Sequence, residues 1–291
     1  MNAPAQGKRF NCGRYSLPLS RPLIMGVINI TPDSFSDGGD FLEPRSAIAH
    51  AQRLVAEGAD ILDLGGESSR PGSAPVTLEE ERRRVLPVLE KVAQLGVPVS
   101  IDTTKPELMR EVLASGASMI NDISALGSAA AVEVIAGSDA GVCLMHMQGD
   151  PASMQQAPSY DDVVNEVSAF LLSRARCLLG RGVSASRIAI DPGFGFGKTD
   201  QHNFELLEGL PAIASYEFAV LAGLSRKSQL GRITGRKTAK SRLGASIAAS
   251  LAAVRNGASI VRVHDVAETR DALLVWQALG TAITGNGAIS N

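Results

Sequence analysis

Eight short apolar, β-rich runs recur along the chain: LIMGVI (23–28), ILDL (61–64), VPVSI (97–101), SMI (118–120), VCLM (142–145), RIAI (187–190), FAVLAG (218–223) and SIVRV (259–263). Between them lie segments whose apolar residues follow helical spacing, such as Ala47, Ile48, Ala51, Leu54 and Val55, or Val163, Val167, Phe170 and Leu171. Strands that alternate with helices build a parallel sheet, because each return between parallel strands needs a crossover. Eight such units in roughly 250 residues favour a closed (β/α)8 TIM barrel. A doubly wound sheet suits five or six strands and usually carries a glycine fingerprint after the first. Here NITPDSFSDGG follows the first run instead.

Several local signals agree with the barrel. Gly58-Ala59-Asp60, Gly116-Ala117-Ser118 and Gly257-Ala258-Ser259 read as the same turn, from a helix end into a strand. Residues 10–22, FNCGRYSLPLSRP, precede the first barrel strand and are expected to form a short hairpin closing the lower end. No low-complexity linker divides the chain, so one domain is expected over 10–280, with flexible tails at 1–9 and 281–291.

Composition limits the partners. A 45% hydrophobic fraction supplies a full core, and the net charge of −2 provides no broad field to draw the chain to nucleic acid or a membrane surface. Any anion must be held by a local cluster. Three well-separated cysteines, Cys12, Cys143 and Cys177, fit a reducing compartment. The opening residues MNAPAQGKRF lack an apolar signal region, so a cytoplasmic protein is expected.

The polar residues at the strand ends carry the chemistry. In order they are Asn29; Asp63 and Glu67; Asp102; Asn121 and Asp122; His146 and Gln148; Asp191; Ser225, Arg226 and Lys227; Arg262 and His264. In a barrel these ends share one mouth, where such folds do their chemistry. Asp, Asn and Ser also cap helices after strand-to-helix loops, and Asp122 and Asp265 are read as caps. Charges at Asp102, Asp191 and Arg262 continue apolar strands and are costly to bury unpaired. His50 and His202 read as surface residues. For His146 a satisfied near-core role accounts for the sequence as well as a functional one. His264 lies two residues from Arg262, so both side chains point to one side of a strand. The stretch DPGFGFGKT (191–199) ends like a phosphate-binding loop, but Pro192 occupies the position of its first glycine. It is read instead as a loop approaching a flat ligand, with Phe194 packed near it. A hard ion such as Mg²⁺ is compatible with oxygen ligands plus substrate phosphates.

The phrases MGVINITPDSFSDGG (25–39), DLGGESSRPG (63–72), SIDTTKP (100–106), INDISAL (120–126), LMHMQGDP (144–151), DPGFGFGKT (191–199), GLSRKS (223–228) and RVHD (262–265) resemble those of the dihydropteroate synthases, of the pterin-binding enzyme group. That family joins 4-aminobenzoate to (7,8-dihydropterin-6-yl)methyl diphosphate, releasing pyrophosphate. The resemblance implies that Asp102, Asn121, Asp191, Lys227 and Arg262 bind the pterin. It implies that Asn29, Arg70, Arg262 and His264 hold the diphosphate, with Asn29 a ligand of Mg²⁺. Phe35, Ser69, Arg70, Pro71 and Ser228 would surround the aminobenzoate, Ser69 standing where many members have threonine. Asn29, Lys227, Arg262 and His264 would carry catalysis, loops 30–39 and 66–76 would be ordered by substrate, and a homodimer is implied. A pterin-binding methyltransferase domain shares the barrel but uses no diphosphate, and TPDSFSDGG, SRKS and RVHD argue against it. A non-catalytic pterin-binding paralogue would carry the same residues.

Overall fold

Strands β1 (Arg9–Cys12) and β2 (Tyr15–Pro18) form an antiparallel hairpin that sets Phe10 opposite Leu17. Eight parallel strands then close into a barrel in chain order: β3 (Leu23–Asn29), β4 (Ile61–Gly65), β5 (Val99–Asp102), β6 (Met119–Asp122), β7 (Gly141–Met145), β8 (Ile188–Asp191), β9 (Ala219–Ala222) and β10 (Ile260–Val263), which returns to β3. The computed structural model describes residues 7–30, 42–68 and 72–284. Helices cover the outside: α1 (Leu42–Glu57), α2 (Leu78–Val92), α3 (Pro106–Ala114), α4 (Ala129–Ala136), α5 (Val163–Leu179), the pair α6 (Asp200–Glu208) and α7 (Leu210–Ala214), the pair α8 (Ser228–Thr234) and α9 (Leu243–Arg255), and α10 (Val266–Thr284). The barrel expected from the eight runs is the barrel found.

Strand alternation separates two cores. Ile24, Leu62, Ile101, Ile120, Val142, Ile190, Val220 and Val261 belong to the outer core, built between barrel and helices. Their chain neighbours Met25, Ile61, Met119, Cys143, Ala189, Leu221 and Ile260 form an inner cluster with Phe10 and Cys12 of the hairpin. The hairpin therefore plugs the barrel's lower end, as expected. Close approach decides one glycine there. A Cβ on Gly141 would lie 2.7 Å from Cys12 Cβ and 3.0 Å from Phe10 Cζ, so any side chain would push the plug out. Full burial of a side chain such as Phe10 contributes roughly 1.5–3 kcal/mol.

Gly58, Gly116 and Gly257 share φ +103, so the three phrases noted in the sequence do make one repeated turn. Among the described residues no helix is long and apolar enough to cross a membrane.

Candidate active site

The alternation that fills the lower barrel with apolar side chains turns polar ones inward two residues later. Asp63 follows Ile61, Asn121 follows Met119, Asp191 follows Ala189 and Arg262 follows Ile260, each by one inward step. Register brings Asn29, Gly65, Asp102 and Asn121 to one level on β3, β4, β5 and β6. Arg262 reaches across this level. Its Nε donates to Asp63 Oδ2 at 2.7 Å and its Nη2 to Asp102 Oδ2 at 3.3 Å. Asn121 Nδ2 donates to the same Asp63 oxygen at 3.2 Å. One buried carboxylate thus orients two of the expected pterin residues. The sequence shows Asp63 only as a strand-end residue without a role; a charge within the apolar run ILDL is the signal that marks it.

On the opposite wall Asp191 Oδ1 accepts from the Gly193 N–H at 2.7 Å. Lys227 Nζ lies 4.1 Å above the Phe196 ring centroid, a distance suited to cation–π attraction. Phe196, rather than Phe194, is therefore the aromatic of the mouth. Phe194 is 1% exposed and packs in the outer core. The expectation for it was wrong because a glycine-rich loop has no periodicity to show which way each ring turns.

These groups share one field. Burial raises Asp102 to about 7; the Asp63 carboxylate adds to the rise and Arg262 opposes it. Burial also raises Asp191, against the Gly193 N–H, Lys227, Lys198 and Arg262. The Lys227 ammonium is lowered to about 8 by burial, opposed by Asp191. The site holds carboxylates that accept, an amide that does both, and cations that donate.

A second group stands beside it. Ser225 Oγ lies 3.0 Å from His264 Nδ1 and accepts from the His264 backbone N–H at 3.2 Å. Half-buried Asn29 ends β3, and a Cβ on Gly65 would sit 3.7 Å from Asp102 Cβ and 4.0 Å from Asn29 Oδ1. The missing side chain leaves a cradle between those two residues. Asp265 is not the simple helix cap expected. Its carboxylate takes a two-pronged ion pair from Arg226, with Nε to Oδ2 at 3.0 Å. That pair pins the turn between Ser225 and Lys227. Asp122 is buried and accepts from the Ser124 and Leu126 N–H groups, so it braces its loop, while Ser128 caps α4. Lys105 bridges Glu67 at 2.5 Å and buried Glu81 at 2.6 Å, and Glu67 also accepts from the Val76 N–H. Ser228 is exposed as the first residue of α8. Phe35, Ser69, Arg70 and Pro71 lie outside the described residues.

The model of the pterin-binding enzymes matches residues 25–264. The dihydropteroate synthase of Neisseria meningitidis serogroup C is 51% identical over 275 residues, covering 93% of this chain and 97% of that protein. This chain belongs to the dihydropteroate synthase family. The Escherichia coli K12 dihydropteroate synthase is 46% identical over 90% of this chain and 93% of its own length. Among solved structures, Xanthomonas albilineans dihydropteroate synthase with 4-aminobenzoic acid superposes with a TM-score of 0.89 at 49% identity, covering 94% of this chain and 98% of that one. Burkholderia cenocepacia dihydropteroate synthase complexed with 7,8-dihydropteroate gives 0.88 at 47% identity, covering 96% and 99%.

Proposed function

We propose that this dihydropteroate synthase condenses (7,8-dihydropterin-6-yl)methyl diphosphate with 4-aminobenzoate, giving 7,8-dihydropteroate and pyrophosphate. The observation that carries the reading is the inward set Asp102, Asn121, Asp191, Lys227 and Arg262, with Asp63 behind it. An aminopyrimidinone edge alternates donors and acceptors. Two carboxylates and an amide can read it while Lys227 donates to ring acceptors. Arg262, planar and always charged, can lie flat against a ring and also reach phosphate.

In the reaction the methylene–oxygen bond breaks, the aminobenzoate nitrogen forms the new C–N bond and loses a proton, and pyrophosphate departs. The electron-rich ring supports positive charge at the methylene, so binding the leaving diphosphate is the main catalytic task. Arg262 and His264, on one face of the strand end, serve it from this chain, with Arg70 the further cation expected from the sequence. Ser228 stands with Phe35, Ser69 and Pro71 in the proposed aminobenzoate set.

The donor set fits Mg²⁺ as an ion carried largely by the substrate. Asn29 offers one amide oxygen beside the Gly65 cradle, and the described residues hold no cluster of three or more acidic, His or Cys ligands. Magnesium prefers such sites, completing its shell with phosphates and water. When bound it would neutralise charge on the leaving group. A homodimer is the further reading. Leu274, Val275 and Leu279 of α10 are 53%, 61% and 56% exposed, an apolar surface suited to self-association.

An assay with both substrates, with and without Mg²⁺, tests the reading. Formation of 7,8-dihydropteroate dependent on the ion supports it. Binding of the pterin without turnover would identify a non-catalytic paralogue.

A further inference from the structure

The loop DPGFGFGKT failed as a phosphate-binding motif, which leaves its lysine without a task. Lys198 does not point to the surface. It is 2% exposed, and its Nζ faces four neutral acceptors: Phe196 O at 2.9 Å, Gly193 O and His146 Nδ1 at 3.0 Å, and His146 O at 3.4 Å. In its ammonium form Lys198 has only donors, and His146 Nδ1 then accepts. Burial and the neighbouring cation hold His146 down at about 3, which keeps the ring neutral for that purpose.

Two of these acceptors belong to residues that touch the pterin wall. Gly193 gives its carbonyl to Lys198 and its N–H to Asp191. Phe196 gives its carbonyl to Lys198 and its ring face to Lys227. The intervening chain is also clamped from outside. Gln155 Nε2 donates to Gly195 O and the Tyr160 hydroxyl to Gly197 O, both at 2.7 Å. Gly193 has φ +68, and a Cβ there would fall 1.9 Å from His146 O, so the loop is folded directly onto the end of β7. A loop with glycines at 193, 195 and 197 has little conformational preference of its own. A single buried cation gathering its carbonyls supplies that preference.

We propose that Lys198 is a positioning residue of the pterin site, acting as an internal cation that folds the glycine loop and so sets Asp191 and Lys227 in place. The proposal rests on the assignment of Asp191 and Lys227 to the pterin. Lys198 itself does not touch the ring. It acts on one wall only, so its loss affects the pterin and spares the aminobenzoate. A purely structural role would behave differently, lowering the fraction of active enzyme and leaving the pterin KM unchanged.

The test compares wild type, Lys198→Met, His146→Ala and Asp191→Asn in the full chain. Calorimetry with 6-hydroxymethylpterin gives pterin affinity, and steady-state kinetics give both KM values. Lys198→Met should weaken pterin affinity about tenfold or more, with a matching rise in pterin KM and little change in the aminobenzoate KM. His146→Ala removes one acceptor and should weaken it about threefold. Wild-type affinity in folded Lys198→Met overturns the proposal. If that variant does not fold, wild-type affinity in His146→Ala overturns it. Loss in Asp191→Asn alongside unchanged Lys198→Met would overturn this inference alone. A wild-type protein that binds no pterin would overturn the site assignment with it.

Discussion

Arg262 of the last barrel strand donates to Asp63 of the second at 2.7 Å, and Asp63 is fully buried. The pair closes the barrel chemically where the register of β10 on β3 closes it mechanically. It also fixes the plane of the guanidinium, because Asp102 takes a second nitrogen and Asn121 shares the Asp63 oxygen.

Asp63→Asn should therefore cost stability before it costs chemistry. The amide can still accept from Arg262, but the half-buried cation loses its fully buried counter-charge. Breaking such a pair costs about 3–5 kcal/mol, here towards the lower figure because Asp102 remains at 3.3 Å. Urea unfolding should show a lower midpoint with an unchanged slope. A midpoint equal to wild type would mean that Asp102 alone compensates Arg262.

Pterin affinity should peak near neutral pH. Asp102 rises from its ordinary 3.8 to about 7, so protonation below that point removes an acceptor from the ring. Asp191, also raised, adds to the acid limb. On the alkaline side Lys198 and Lys227, lowered to about 7 and about 8, lose their charge. Stability has its own sign. The folded Asp102 keeps its proton where the unfolded one has released it, so the folded state binds more protons between the ordinary 3.8 and about 7. That contribution falls as pH rises through this window. Calorimetry with 6-hydroxymethylpterin across pH should show an acid limb that Asp63→Asn moves lower, since Asp63 helps to raise Asp102. A flat profile would contradict the charge assignment.

The barrel, and the inward side of the wall proposed for the pterin, were legible because strands impose a period of two. Arg262 inside IVRV and Asp191 after IAI lie one inward step beyond apolar residues, and periodicity alone aims them at the mouth. Asp63 shows the same signal within ILDL, yet its work lies in holding Arg262, 199 positions away, which no local pattern reveals. Loops obey no period. Whether Phe194 or Phe196 faces the mouth depends on the left-handed glycines around them, and Lys198 is defined by carbonyls that only the folded loop brings together. Asp265 heads α10, its carbonyl accepting from the Thr269 N–H, but its side-chain partner Arg226 lies 39 residues earlier, which no local pattern shows.

The exposed face of α10 gives a prediction about assembly. Val275 and Leu279 are four residues apart and share a helix face. Replacing both by Glu should leave the monomer's stability within about 0.5 kcal/mol, the usual range for surface changes, while dissociating a dimer that buries them. Sedimentation equilibrium should then give the mass of one chain for the variant and of two for wild type. Equal masses would place any dimer contact elsewhere.

The diphosphate side should separate turnover from binding. Asn29 and His264 belong to the set proposed for the diphosphate, apart from the Asp63–Arg262–Asp102–Asn121 network proposed for the ring. Ser225 Oγ lies 3.0 Å from His264 Nδ1; in the tautomer in which the hydroxyl donates to Nδ1, the ring proton is on Nε2, the nitrogen that would donate to an anion. That donation matters most as charge builds on the departing pyrophosphate, not when the ring docks. Asn29→Ala and His264→Ala should each cost about 2–4 kcal/mol in kcat/KM, the loss expected for a group that stabilises the transition state. Affinity for 6-hydroxymethylpterin should stay at the wild-type value in both. Ser225→Ala should lower kcat/KM less than His264→Ala, because it frees the tautomer without removing the ring. Steady-state kinetics paired with calorimetry on the three variants decide the matter. Equal losses in pterin affinity and turnover would move Asn29 and His264 into the ring-binding set.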